Sequence, residues 1–147
     1  MNAPDLMVRI TKQRQIILEE LQKAKNHPTA CELYDVVRKR LPRIGLGTVY
    51  RNLELMAENG LILKLEVGGS QKRFDADIKS HYHIRCSRCN KVENIAVDVI
   101  EDIVEAAARK TSYNIIGHHV EFSGECPECQ VLIRQSKEQN TQKRLFF

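Results

Sequence analysis

The chain has 147 residues, enough for one ordinary domain or two small ones, and 42% of them are hydrophobic, enough for a real core. It has no run of about 18 apolar residues and no apolar segment at its start, which argues against a membrane span and a signal peptide and places it in the cytoplasm. The formal net charge of +4 resides in the first half: residues 1–75 hold 13 Lys/Arg against 9 Asp/Glu, the remainder ten of each. The first half is therefore the one expected to meet an anionic partner such as nucleic acid.

In chain order, "RITKQRQIILEELQKA" places Ile10, Ile17, Leu18 and Leu21 at helical spacing and predicts a first amphipathic helix. "NHPTACELYDVVRKRLP" carries Thr29 with Glu32 three residues on, a capping-box pattern, then Leu33, Val36, Val37 and Leu41 on one face before Pro42. After the turn "PRIG", "LGTVYRNLELMAENG" predicts a third helix with Leu46, Val49, Leu53, Met56 and Ala57 inward and Gly60 as its C-terminal cap. The other face offers Thr48, Arg51, Asn52 and Leu55. Two helices joined by a tight turn, the second presenting such groups, make a helix-turn-helix. "LILKLEV", "GGS" and "QKRFD" follow as a hairpin in the position of a wing.

The fold class expected is α+β: a winged helix-turn-helix over 1–75, a hinge over 76–80, a small α/β dimerisation and metal-binding domain over 81–133, and a flexible tail over 134–147. In the second half "HYHIRC", "KVENIAV" and "YNIIGHHVEF" read as strands. "DVIEDIVEAAARK" reads as a helix with Val99, Ile100, Ile103, Val104 and Ala107 inward. A domain of about 50 residues is marginal unless a metal or partner subunit reinforces it.

Five cysteines divide into two Cys-x-x-C pairs, Cys86/Cys89 and Cys126/Cys129, and a lone Cys31. In a reducing compartment two matched pairs favour one structural zinc held tetrahedrally by all four sulfurs, over a redox dithiol or unrelated thiols. Cys31 could be a low-pKa redox thiol, but such a residue is more often a small core filler.

His81 and His83 alternate on a strand and so share a face, which suits a second metal, with Asp75 and His27 as candidate partners from the first half. Against that stands the ordinary reading of each histidine as a surface or hydrogen-bonded residue. His118 and His119 face opposite ways on their strand, so at most one of them joins a given site.

These motifs carry a resemblance. "RITKQRQIIL", "HPTA", "GTVYRNL", "RFD", "HYHIRCSRC" and "CPEC" occur in the order and spacing of ferric-uptake-regulator type repressors, over nearly the whole chain. "HPTA", the aspartate after "RF" and "HYH" together resemble the peroxide-stress branch of that family. The resemblance implies a homodimer with a four-cysteine zinc and a separate regulatory Fe(II) or Mn(II). The ligands carried over are His27, Asp75, His81 and His83, with Asn94 at a fifth place where the branch usually has a carboxylate. A divalent ion there would leave the site at +1 instead of neutral. Glu93, next to it, should point to the opposite strand face. A further metal site at Glu101 and His118 is not expected, because Ser80 and Tyr82 stand where that pattern wants a histidine and an acid.

The function implied is a transcriptional repressor of a palindromic double-stranded DNA operator. Arg51 would read bases, supported by Thr48, Tyr50 and Asn52, with Lys12 and Arg14 on phosphates. Peroxide sensing would proceed by iron-dependent oxidation of His27 or His81. One alternative is a sensor of iron, manganese or zinc abundance on the same fold. Another is a small metalloenzyme using His81, His83 and a carboxylate, for which no general base is evident.

Overall fold

The computed structural model describes residues 8–66 and 71–145, and the chain forms two compact units that part between Ser80 and His81. In the first unit, α1 (Lys12–Lys23) starts at Thr11, whose hydroxyl accepts from the Arg14 amide. Helix α2 (Ala30–Val37) starts at Thr29, where both halves of the capping box are formed with Glu32. Helix α3 (Leu46–Glu58) ends at Gly60, φ +70°, with Leu61 N donating to Met56 O and Gly60 N to Ala57 O. That C-terminal motif needs a left-handed residue, which glycine supplies without a Cβ penalty. Strands β1 (Leu63–Leu65) and β2 (Arg73–Asp75) then pair antiparallel, Leu63 opposite Asp75. The Gly-Gly turn expected between them lies at 67–70, outside the described residues.

Ile17, Leu21, Leu33, Val37, Val49, Leu53, Met56, Ile62 and Phe74 form the buried core of this unit. The expected inward faces are too generous by one residue each, since Ile10, Val36 and Leu46 are exposed. Ile10 precedes the N-cap of α1, and Leu46 is the first residue of α3, where a side chain leans toward the open N-terminus of its own helix.

In the second unit β3 (Tyr82–Cys86) is central in the order β4-β3-β5, antiparallel to β4 (Val92–Ile95) and parallel to β5 (Glu121–Gly124). Helix α4 (Asp102–Ala108) crosses between β4 and β5 and buries none of its residues in the single chain. Val99, Ile100, Ile103, Val104 and Ala107 are therefore not inward as expected; Ile100 and Ile103 are exposed. One three-stranded sheet and a seven-residue helix are too small to enclose that stripe. The stretch expected as a flexible tail is helical as far as Leu145 in α5 (Pro127–Leu145). Its polar side chains bond back to the helix, as Ser136 Oγ does to Leu132 O at 2.8 Å. Among the described residues no helix is long and apolar enough to cross a membrane.

Candidate metal centres and recognition helix

The four cysteines come together. Cys86 ends β3 and Cys89 lies in the turn that follows. Asn90, φ +60°, reverses the chain there into β4. Cys126 follows β5, and Cys129 lies in the first turn of α5, which opens on Pro127, the residue type favoured at a first helical position. The four Sγ atoms all lie within 4.8 Å of one another, and Cys89 Sγ to Cys126 Sγ is 3.8 Å. Tetrahedral zinc with bonds of about 2.3 Å sets its sulfurs about 3.8 Å apart, so the donor set fits that ion.

The local backbone already treats one sulfur as an anion. Amides of Cys126, at 3.3 Å, and of Cys89 and Arg88 donate to Cys86 and lower its thiol pKa to about 6. Cys129 is pushed up to about 12 by the adjacent Cys126 sulfur and by burial. A cluster that favours a thiolate at Cys86 and pushes the Cys126 and Cys129 thiols up is completed by a cation.

His27 and Asp75 form a second feature, within the first unit. Both are buried, and Nδ1 lies 3.6 Å from Oδ2. In the second unit His81 and His83 have ring centroids 4.5 Å apart, and His83 is buried. His83 stands opposite Asn94 in the β3–β4 register, so these two share a face, while Glu93 stands opposite Ile84 on the other. Imidazole nitrogens with carboxylate and amide oxygens suit Fe(II), Mn(II) or Zn(II).

His118 is otherwise engaged. Its Nε2 lies 2.7 Å from the Tyr82 hydroxyl, which also accepts from Ile100 N at 2.8 Å. The Tyr82 phenol therefore holds His118, and Glu101 stands exposed at the N-cap of α4. Cys31 is exposed and is not the core filler expected; it points to solvent between the buried Ala30 and Leu33.

On α3, Tyr50 and Arg51 are exposed and Thr48 is half-buried, its Oγ1 accepting from Arg51 Nη2 at 3.3 Å. Asn52 is different. It is buried, its Nδ2 donates to Thr48 O at 2.8 Å, and its Oδ1 accepts from Arg14 Nε at 2.9 Å. Its amide thus faces α1. Lys12 is exposed; Arg14 is half-buried and also donates to Arg9 O.

Sequence reasoning missed Glu54. Its carboxylate meets Lys64 of β1 at 3.0 Å and Lys72 at 3.6 Å, tying the wing to α3. Burial opposes its ionisation, but the two lysines hold it below the ordinary 4.5. Spacing gave no signal, since the lysines lie 10 and 18 residues away.

A winged helix joined to a unit bearing a four-cysteine cluster defines a metal-dependent regulator. A model of the "Ferric uptake regulator family" matches residues 5–123. The "Peroxide-responsive repressor PerR" of Staphylococcus aureus (strain USA300) is 37% identical over 123 residues, 84% of this chain and 83% of that protein. The protein of the same name from Staphylococcus epidermidis is 35% identical over 84% of this chain and 82% of its own length. Among solved structures the Helicobacter pylori ferric uptake regulator Fur, described as having three functional metal binding sites, matches with a TM-score of 0.71 at 27% identity, covering 83% of this chain and 82% of that one. The Campylobacter jejuni peroxide stress regulator matches with a TM-score of 0.68 at 28% identity, covering 80% and 88%. The chain belongs to the ferric uptake regulator family.

Proposed function

We propose that the chain is a cytoplasmic, homodimeric, metal-dependent transcriptional repressor that holds a palindromic operator and lets it go when hydrogen peroxide oxidises His27 or His81. It is not an enzyme: its relatives are named as repressors, and the metalloenzyme alternative has no general base to stand on. The observation that carries the reading is the buried His27–Asp75 pair on the wing side of a helix-turn-helix. A buried imidazole beside a buried carboxylate is a donor pair suited to a divalent ion, and here it lies on the DNA-binding unit.

His27 and Asp75 from the first unit, and His81 and His83 from the second, are assigned as ligands of one regulatory Fe(II) or Mn(II), with Asn94 offering its amide oxygen. Held this way, the two units are locked and α3 is presented to the operator. Bound Fe(II) would catalyse the cleavage of hydrogen peroxide without net loss of electrons from the iron: the imidazole would give up two electrons, one peroxide oxygen entering its C–H carbon and the other leaving as water. His27 and His81 then lose basicity, the lock opens, and the dimer leaves the DNA. Cys86, Cys89, Cys126 and Cys129 hold a structural zinc that ties the end of β5 to the β3–β4 hairpin.

In the complex, the two α3 helices of the dimer enter successive major grooves about 34 Å apart. Arg51 reads base edges beside Thr48 and Tyr50, and Lys12 and Arg14 take phosphates. Asn52 acts from behind, through Arg14.

A second reading, sensing of metal abundance without oxidation, is favoured by Asn94. An amide in place of a carboxylate leaves a divalent site at +1 and weakens it. Peptide mass spectrometry on zinc-replete protein loaded anaerobically with Fe(II), before and after about one equivalent of peroxide, separates the two. A gain of one oxygen on peptides containing His27 or His81, absent with Mn(II), is the expected result. Unmodified histidines in protein that retains its iron would leave abundance sensing as the function.

A further inference from the structure

Arg73 and Glu32 belong to neither metal centre, yet both grip the segment that carries His27. Arg73 Nη1 donates to the His27 carbonyl at 2.9 Å and to Glu32 Oε2 at 3.1 Å. The same Oε2 accepts from Thr29 N at 2.8 Å, the return half of the α2 capping box. On the backbone, Phe74 N donates to Pro28 O at 3.0 Å, and Thr29 bridges Arg73 antiparallel. Residues 27–29 thus lie beside β2 as a short added strand. Its register sets His27 directly across from Asp75, which is how two residues 48 positions apart come to share a face.

We propose that Arg73 and Glu32 are positioning residues for the regulatory ion: they hold the His27–Asp75 pair in register before the metal arrives, and they tie that pair to the N-terminus of α2. The inference rests on the assignment of His27 and Asp75 as ligands. Groups that fix the orientation of metal ligands typically govern affinity by about 10–100-fold. Here the group fixed is the main chain of His27, held by a guanidinium nitrogen whose second proton is anchored on a carboxylate. That carboxylate also caps the helix leading into the helix-turn-helix, so a shift at His27 reaches α2 through a single side chain.

The test is Mn(II) titration of zinc-loaded, full-length protein, followed by the electron paramagnetic resonance of free Mn(II), with zinc content and thermal unfolding recorded for each variant. Arg73→Met removes both donated bonds and is expected to weaken Mn(II) binding by about 10–100-fold. Arg73→Lys, which keeps a charge and donors at that place, should recover most of the loss. Glu32→Gln retains a residue type competent in the capping box but removes the charge that anchors Arg73, and should weaken binding without uncapping α2. His27→Ala should abolish the site. Wild-type affinity in both Arg73→Met and Glu32→Gln, with loss in His27→Ala, would overturn the inference and leave the ligand assignment standing. Wild-type affinity in His27→Ala would overturn the assignment and the inference with it. Should Arg73→Met fail to fold, Glu32→Gln decides by the same criterion.

Discussion

Asn52 Oδ1 accepts the Arg14 Nε proton at 2.9 Å, joining α3 to α1 across 38 positions of sequence. The bond lies behind the exposed face of α3, and Asn52 also donates to Thr48 O, so this amide fixes both helices. Removing a buried partner of a charged donor costs about 1–3 kcal/mol. Asn52→Ala is expected to lower unfolding free energy by that amount in urea titrations. It should weaken operator binding through Arg14 and lower the slope of log affinity on log salt by up to about 1, the share of one phosphate contact.

Arg51→Ala should do the reverse. Arg51 is exposed and its one described bond, to Thr48 Oγ1, is long at 3.3 Å, so stability should change by no more than about 0.5 kcal/mol. Operator affinity should fall by about 1–3 kcal/mol with relaxed sequence preference, whereas Lys12→Ala should lower the slope of log affinity on log salt by about 1. Fluorescence anisotropy across a salt series distinguishes the two; loss of stability in Arg51→Ala would mean that the side chain serves the fold.

The contrast between Arg51 and Asn52 marks where sequence stops being legible. Helix existence, the capping box at Thr29/Glu32 and the glycine stop at Gly60 are local, and periodicity and cap chemistry expose them. So is the cysteine cluster, since two Cys-x-x-C turns carry their own geometry. Asn52 and Glu54 are neighbours on one helix, yet what each touches depends on how α1 and the wing dock. Helical periodicity alone puts Asn52 beside Arg51 on the polar face, and only packing turns it inward. The apolar residues of α4 failed for the converse reason: their pattern asks for a cover that a single chain of this size does not provide.

Glu20 offers a test by pH. It is buried on α1, bonded to Lys23 Nζ at 2.9 Å and to Arg40 Nη1 at 2.8 Å, and these two cations hold its carboxyl below the ordinary 4.5. A depressed carboxylate contributes stability that is fully present above the unfolded value and is lost as pH falls through the lower folded one. Glu20→Gln should therefore flatten the acid limb below about pH 4.5 while lowering stability at neutral pH. Melting temperatures read by circular dichroism from neutral to acid pH check this; an unchanged acid limb would assign the acid sensitivity to other carboxylates.

The zinc cluster should bind its ion with release of protons. At pH 7 Cys86, lowered to about 6, is already a thiolate, whereas Cys129, raised to about 12, carries a proton that the metal must displace. Zinc affinity should fall as pH falls, and more steeply once pH drops below about 6, where Cys86 takes up a proton too. Chelator competition across that range measures the slope. Cys129→Ser should lose the zinc and, with it, cooperative unfolding of the second unit, since ligation free energy is folding free energy in such sites.

The stripe that α4 leaves exposed is where dimerisation should be tested. Val97, Ile100, Ile103 and Phe122 of the second unit are each more than a third exposed, an arrangement costly to keep in water unless a second copy covers it. Ile103→Glu changes a side chain that is 43% exposed, so the fold of the single chain should lose little, while a charge placed against its symmetry mate should split the dimer. Light scattering should report a monomer with zinc still bound. Binding to a full palindrome should then weaken to the level of a half-site, because two recognition helices no longer act as one ligand. A variant that stays dimeric would place the interface elsewhere on the second unit and leave the exposed stripe without its proposed cover.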